Sequence, residues 1–204
     1  MFKMRSFPAL ALGAAMVLTG CVTTTGDVTR NAGLDLGPVI EVPTQNWGFA
    51  QLVVSVPDSL SVSEAHAIKP RADIVWREDA PGNRRAQVQA LMQAALEPAL
   101  APMQGDIPVL IRLEVTRFHA LTERARYTIG GEHEIEFIVT IANAETGQIL
   151  SGPRAVDLTF RAYGGQQAVN AEAQGITQRV RITERLQQWV QAEFPQTMLG
   201  AIGS

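Results

Sequence analysis

Residues 108–116 read PVLIRLEVT and residues 132–142 read EHEIEFIVTIA, and these two stretches decide the fold. Apolar side chains take every second position in both, which is the period of a β-strand with one buried face. The apolar phase slips at 117–118, where we expect a bulge or a bend. A turn at 143–147 (NAETG) and a further strand within 149–160 complete a meander of three antiparallel strands.

The glycine pair before the second stretch suggests how the first two strands pair. A three-residue loop at 129–131 would place Arg126 opposite Glu134. The same loop would place Arg124 opposite Glu136, whereas a two-residue loop would lose both pairs. Opposite charges that face each other on one exposed face favour the three-residue loop. The first strand is therefore expected to continue as far as this loop.

Two helices are predicted on either side of the meander. The first covers 83–103, where Asn83 is a good N-cap and apolar residues recur at three- and four-residue steps. Pro98 should kink or end it, because proline removes one backbone hydrogen bond and crowds the carbonyl four residues back. The second covers 166–194, with Gly175 as a candidate break. Its expected buried side comprises Ile176, Val180, Leu186, Trp189, Val190 and Phe194.

Two short strands, at 51–56 and 72–77, precede the first helix. The order is then strand, strand, helix, three strands, helix. Runs of adjacent strands with helices to one side predict an α+β fold. We expect an antiparallel or mixed sheet of about five strands, including the C-terminal three-stranded meander, packed against two main helices.

The composition excludes several classes of protein. The chain has 204 residues, of which 46% are hydrophobic and 18% charged, as is typical of one globular domain. Its net charge is −3, so no global positive field attracts nucleic acid, and we expect no nucleic-acid partner. Cys21 is the only cysteine, so neither an intramolecular disulfide nor a cysteine-rich zinc site can form.

The first twenty residues have the organisation of a signal peptide. Residues 1–6 carry Lys3 and Arg5 and no acid, and residues 7–18 are uncharged. A helix over the uncharged run would reach only about 18 Å, which is too short for a hydrocarbon core of about 30 Å. The segment is therefore predicted to be a secretory signal and not a membrane-spanning anchor.

The end of this segment resembles the bacterial lipobox. The four residues concerned are Leu18, Thr19, Gly20 and Cys21. A leucine three positions before the cysteine, followed by small residues, fits the lipoprotein signal peptidase. The resemblance implies that residues 1–20 are removed, that the Cys21 thiol is diacylated, and that its new amino group is acylated as well. An ordinary signal peptide with an incidental cysteine is the alternative.

The residue after Cys21 is Val22 and not an aspartate. In enteric lipoprotein sorting an aspartate there retains the protein in the inner membrane, so the resemblance favours the periplasmic face of the outer membrane. Residues 21–46 are rich in Thr, Gly, Pro and Asn without an apolar period, and we interpret them as a linker that follows the lipidated cysteine. Residues 47–204 are then a single periplasmic α+β domain.

Few residues offer catalytic or metal-binding chemistry. The three histidines are His66, His119 and His133. In the expected register the two strand histidines are not partners, and alternation sends His133 to the face opposite Glu132, Glu134 and Glu136. We interpret these glutamates as a solvated strand face beside arginines, and we predict neither a metal nor a cofactor. The sequence contains no motif of a catalytic nucleophile and no phosphate-binding glycine loop.

The tryptophans divide into two groups. Trp76 on a strand and Trp189 on a helix stripe are expected to anchor the core. Trp47 stands at the end of the linker near Phe49, and we expect these two residues to make an exposed contact. The polar side of the last helix carries Arg179, Arg181 and Arg185. These arginines would face anionic lipid head groups, or water.

The order of these parts resembles small Gram-negative envelope lipoproteins that act as auxiliary components of lipid-transport machinery. Residues 72–77 (ADIVWR), which lead through Pro81 into 87–100, look like the segment where that group places a tryptophan-bearing strand before its first helix. Residues 29–32 (TRNA) are similar to an uncharacterised family of bacterial lipoproteins. The resemblance implies no functional residue beyond Cys21.

Two functions are compatible with these features. The first is a non-enzymatic binding or scaffolding role in the cell envelope, with a protein partner or an apolar ligand, and it predicts an accessible apolar groove. The alternative is a periplasmic hydrolase anchored to the outer membrane, which predicts titratable groups that converge in a cleft. The two differ in whether a histidine lies within hydrogen-bond reach of a carboxylate or a serine inside a pocket.

Overall fold

The computed structural model describes residues 46–195, so the predicted signal peptide, the predicted lipobox with Cys21 and most of the predicted linker lie outside the described residues. Six strands and four helices follow one another along the described chain. They are β1 Trp47–Ser55, β2 Ile74–Val75, α1 Arg84–Leu100, β3 Ile107–His119, α2 Glu123–Arg126, β4 Gly131–Asn143, β5 Ile149–Asp157, β6 Phe160–Ala162, α3 Gln166–Glu172 and α4 Gln178–Glu193.

The strands form one mixed sheet in the order β1-β3-β4-β5. β1 runs parallel to β3, whereas β3, β4 and β5 pair antiparallel in sequence order. β2 pairs with the carboxyl end of β3, and β6 pairs with the beginning of β4. The predicted α+β class and the three-stranded meander are therefore confirmed.

Alternation along β3 divides its side chains between a buried and an open face. Val109, Ile111, Leu113 and Val115 are buried in the main core. The register shifts by one residue between Val115 and Arg117, which confirms the bulge expected there. Helices α1 and α4 contribute to the same core, so one face of the sheet is covered by helices and buried.

The predicted pairing across 129–131 is wrong. β3 ends at His119, which lies opposite Glu134, and Arg117 lies opposite Glu136. Residues 120–130 leave the sheet and contain α2, where the Thr122 side chain accepts a hydrogen bond from the Ala125 backbone N–H and caps the helix. The charge pairs proposed for Arg124 and Arg126 do not form, because both lie on this helix.

Helix α1 begins where the sequence predicts. The Asn83 side chain accepts a hydrogen bond from the Ala86 backbone N–H at 3.1 Å, which confirms Asn83 as the N-cap. The helix ends at Leu100, two residues after Pro98, in agreement with the expected effect of proline. Its buried residues are Arg84, Val88, Leu91, Met92, Ala95, Leu96 and Leu100.

The break predicted at Gly175 separates α3 from α4, and this glycine has a φ of +78°. Thr177 starts a new helix by accepting a hydrogen bond from the Val180 backbone N–H. The restart changes the helical phase, so Ile176 and Val180 are exposed, contrary to prediction. The buried side of α4 and its C-terminal end is Ile182, Leu186, Trp189, Val190 and Phe194. Between residues 46 and 195, the structure holds no helix of the length and apolarity needed to cross a membrane.

Candidate functional site

An open groove lies at the end of the sheet where β3 stops and β4 begins. Its volume is about 510 Å³, within the range of about 300–1,000 Å³ that is usual for small-molecule sites. The lining residues are Ile68, Lys69, His119, Leu121, Ile129, Gly130, Gly131, Glu132 and Arg161. They come from the β1–β2 loop, from the end of β3, the connection after it and the beginning of β4, and from β6.

The groove presents large aliphatic side chains to solvent. Ile129 is 73% exposed and Ile68 is 40% exposed, while Leu121 is buried. Gly130 has a φ of +73°, and an added Cβ at Gly164 would lie 2.1 Å from the Gly130 nitrogen. Because Gly130 and Gly164 have no side chains, their backbones pack directly against each other, and Ile129 lies at the exposed tip.

A polar basin adjoins the groove. Its volume is about 570 Å³ and it is lined by Ser61, Lys69, Pro70, Arg71, Ala72, Asp73 and Arg117. Lys69 lines both the groove and the basin, so the two are neighbours on one surface. The Ser61 backbone N–H and hydroxyl donate hydrogen bonds to Asp73, and these two bonds hold the pKa of the Asp73 carboxyl below its usual value.

Glu134 binds the two cations at the border of the basin. It accepts a hydrogen bond from Lys69, and its other oxygen lies 2.5 Å from Arg117 Nε. Burial opposes ionisation of Glu134, but the hydrogen bonds from Lys69 and Arg117 outweigh burial and lower its pKa. The expectation that Glu134 belongs to a solvated strand face is therefore wrong, because its side chain is mostly buried between these cations.

The side chain of His133 lies outside the groove and the basin, on the opposite face of β4 from that of Glu132. It is 1% exposed, its ring centroid lies 5.0 Å from that of Phe160, and its Nδ1 has no hydrogen-bond partner among residues 46–195. A cavity of about 10 Å³, the space of one water molecule, adjoins it. Burial, followed by the positive charges of Arg181 and Arg126, lowers the pKa of His133 to about 3.

The low pKa of His133 makes the stability of the protein depend on pH. The unfolded chain takes up a proton at this imidazole below about pH 6.5, whereas the folded protein does so only near pH 3. Lowering the pH from 7 to 5 should therefore cost about 2 kcal/mol of unfolding free energy. In urea titrations we expect His133→Phe to lose the His133 contribution and keep that of buried His119, so that its stability falls less than the parent's, whereas His66→Phe, at an exposed position, should behave like the parent. If the unfolding free energy falls equally with pH in the parent and in both variants, the assignment of this pH dependence to His133 is wrong.

The other two histidines do not form a catalytic arrangement in the described chain. The ring of His119 is buried, its Nε2 lies 3.0 Å from the Pro70 carbonyl oxygen, and burial lowers its pKa. His66 is exposed, with its Nδ1 3.8 Å from Glu123 Oε2. Across 46–195, none of the three imidazoles has a carboxylate or a hydroxyl at hydrogen-bond distance inside a pocket, and no three metal-ligating side chains are grouped.

Ion pairs hold the β1–β2 loop, which forms one wall of the groove, against the helices. Arg84 on α1 is buried and its Nε lies 2.5 Å from Glu64 Oε1 on that loop. Arg77 lies 3.0 Å from the same glutamate and 2.7 Å from Glu123 on α2. Hydrogen bonding from Arg84 is the main cause of the lowered pKa of Glu64, so the pair is charged in the folded protein at neutral pH.

The three arginines of α4 contact protein groups. Arg179 pairs with Asp79 and stacks over the Trp76 ring. Arg181 stacks 3.7 Å from the centroid of the Tyr163 ring. Arg185 donates to the Leu158 carbonyl at 3.4 Å. None of these three contacts was predicted, and all three side chains remain partly exposed.

Trp47 and Phe49 do not form the predicted exposed contact. Trp47 is 2% exposed and packs 6.3 Å from the Phe194 ring centroid, and Phe49 is half-buried against the core. The prediction failed because β1 begins at Trp47, four residues earlier than the alternation at 51–56 indicates. Trp76 and Trp189 are core residues, as expected.

Sequence reasoning did not single out the groove. The exposure of Ile129 could have been predicted, because an isoleucine next to two glycines in a turn is not expected to reach the core. Lys69 and Arg71 carried none, since the loop around them was ambiguous between coil and helix.

The described fold is an α+β domain with an open groove of apolar and charged walls. The chain belongs to the family of unknown function DUF6778, whose profile matches residues 47–200. A solved structure described as an uncharacterized protein is 16% identical, covers 75% of this chain and 94% of its own, and has a TM-score of 0.36. A structure described as a "putative lipoprotein" from Caulobacter crescentus CB15 is 14% identical, covers 79% and 95%, and has a TM-score of 0.32. No curated protein matches the chain.

Proposed function

We propose that this protein is an envelope lipoprotein, held at the periplasmic face of the outer membrane by acylated Cys21, that binds an apolar ligand or a protein partner without catalysing a reaction. Its role is auxiliary to a transport complex of the envelope. The observation that carries the binding role is the groove at the end of β3, with Ile129 exposed at its rim. The sequence motif that carries the anchor is the lipobox at 18–21.

The groove has the composition of a binding site. Its walls are aliphatic, with cationic and anionic side chains at their edges, which is the pattern of surfaces that bind apolar groups and orient them. Single exposed aliphatic residues are common on protein surfaces, so the binding site is inferred from two such residues in one groove. Ile68, from the β1–β2 loop, lines the same groove as Ile129 and is also exposed.

The groove lies far from the point where the linker joins the domain. Trp47 pairs with Ile107 at the beginning of β3, whereas the groove begins at His119, at the other end of the same strand. Twelve residues of strand span roughly 40 Å. A domain tethered through Trp47 can therefore present its groove away from the anchored end, which supports contact with a partner in the periplasm.

Photo-crosslinking in cells tests this function. We would replace Ile129 by a photo-reactive amino acid in the lipidated protein and use Val53, on the open face of β1, as the matched exposed control. We expect an adduct with an acyl lipid, or with one envelope protein recovered repeatedly, from position 129 and not from position 53. The same adducts from both positions, or none from position 129, would overturn the binding role.

A further inference from the structure

We propose that the groove and the basin together hold one anionic phospholipid, with an acyl chain along the groove and a phosphate head group in the basin beside Arg71 and Lys69. This inference rests on the proposed binding function and names its ligand class. It follows from three features of the surface: two adjoining compartments of different polarity, an excess of positive charge, and an arginine that has no partner in the described chain.

The two compartments fit the two halves of an amphiphile. The groove is bounded by Ile68, Leu121 and Ile129, while the basin is bounded mainly by charged and hydroxyl side chains. Lys69 stands on their common border, so its ammonium group is placed where a head group would meet its chain. The basin is as large as the groove, about 570 against 510 Å³, and a bare carboxylate would fill little of it.

The charge of the surface favours an anion. The cations of the two compartments are Lys69, Arg71, Arg117 and Arg161. The carboxylates that line the two compartments are Asp73 and Glu132. Glu134, which pairs with Lys69 and Arg117, is the third carboxylate of this surface. Four positive groups thus face three negative ones, in a chain whose net charge is −3. One phosphodiester would balance the excess.

Of the four cations, Arg71 and Arg161 make no side-chain ion pair or hydrogen bond within residues 46–195, and Arg71 is the one of the two that lines the basin. Lys69 and Arg117 share Glu134, but the side chain of Arg71 makes no ion pair or hydrogen bond within residues 46–195 and is exposed beside the basin. A guanidinium can donate two parallel hydrogen bonds to phosphate oxygens. We therefore assign the principal phosphate contact to Arg71 and a supporting one to Lys69.

Binding is measured by calorimetry with the whole mature chain carrying Cys21→Ala, exported behind a cleavable signal and free of its own acyl groups. The probe is 16-carbon lysophosphatidylglycerol below its critical micelle concentration. We expect one lipid per chain, and a 14-carbon homologue should bind about 15-fold more weakly, since each methylene contributes about fourfold. Zwitterionic lysophosphatidylcholine, palmitate and uncharged hexadecanol are the comparison ligands, and all three should bind more weakly.

Two variants separate the compartments. Arg71→Glu should weaken lysophosphatidylglycerol at least about tenfold and leave hexadecanol unchanged, because it reverses the charge of the basin only. Ile129→Asp should weaken both ligands at least about tenfold, because it places a charge against the acyl chain. The matched controls are Arg112→Glu on β3 and Val53→Asp on β1, both exposed strand positions outside the two compartments.

The outcomes distinguish the proposal of a phospholipid ligand from the more general proposal of a binding function. Equal affinity for lysophosphatidylglycerol and hexadecanol, with no effect of Arg71→Glu, would overturn the phospholipid and leave the apolar site standing. Equal or tighter binding of palmitate would overturn the phosphate head group. Failure of every ligand to bind, with the controls folded, would overturn the lipid ligand and leave the protein-partner role to crosslinking at position 129. Binding only to phosphatidylglycerol vesicles, and not to single lipids, would show that the surface docks on membranes and does not hold one molecule.

Discussion

Replacing Cys21 by alanine is expected to move essentially all of the protein from the membrane fraction to the soluble periplasmic fraction when the chain is exported behind a cleavable signal. The expected anchor is two or three acyl chains, and each buried methylene contributes about 0.8 kcal/mol. One such chain binds a bilayer only weakly and reversibly, whereas two or more hold a protein stably. Nothing else in the mature chain is predicted to replace them.

The measurement is fractionation of the envelope, with a density gradient to separate the two membranes and mass spectrometry of the N-terminal peptide. The matched control is Val22→Ala, which leaves the lipobox at 18–21 intact and should stay in the membrane. Persistence of the Cys21→Ala protein in membranes after an alkaline wash would contradict the lipid anchor. An N-terminal peptide that carries no acyl mass on Cys21 would do the same.

Replacing Trp47 by alanine is expected to lower the free energy of unfolding by about 3–5 kcal/mol, the cost usual for deleting a large aromatic side chain from a core. Trp47 is almost completely buried and lies against Phe194. Within the described part of the chain its buried indole nitrogen has no hydrogen-bond partner, so Trp47→Phe should cost less, because it removes an unsatisfied polar atom along with part of the volume.

Urea unfolding, followed by circular dichroism, measures this effect, and Val53→Ala on the same strand serves as the exposed control. The control should change the unfolding free energy by about 0.5 kcal/mol or less. A Trp47→Ala protein as stable as the parent, but altered in its crosslinks, would instead restore the exposed contact that the sequence suggested.

The strands were predictable because their signal is local. Alternation within 108–116 and 132–142 fixes which side chains face the core without reference to any other segment. The pairing of the two strands was not local. It depends on β2, which occupies the edge beside Phe118, and on Thr122, which starts a helix in the connection. A charge match across a presumed loop could not detect either feature.

The groove was less predictable than the fold for a related reason. It is assembled from residues near 68, near 129 and at Arg161. The pairing of β4 with β6 brings Arg161 beside Glu132, and the hydrogen bond from Lys69 to Glu134 brings the β1–β2 loop to the same place. The sequence of each segment, taken alone, indicates only a loop or an edge strand. The predicted lipobox, by contrast, is a pattern in the linear sequence, so the hypothesis for Cys21 requires no knowledge of the fold.

The Glu64–Arg84 and Glu64–Arg77 pairs have a consequence for how the domain responds to its surroundings. The core of the sheet and helices is apolar, so its stability depends mainly on temperature and denaturant. The contact of the β1–β2 loop with α1 rests in part on these ion pairs, so it depends on ionic strength and on acidity. The same loop is also bound to β2 by backbone hydrogen bonds, such as the one from the Ser63 N–H to the Ile74 carbonyl, and these carry no charge that salt or acid would remove. We therefore expect salt or acid to weaken the helix contact of this groove wall while its sheet contact persists.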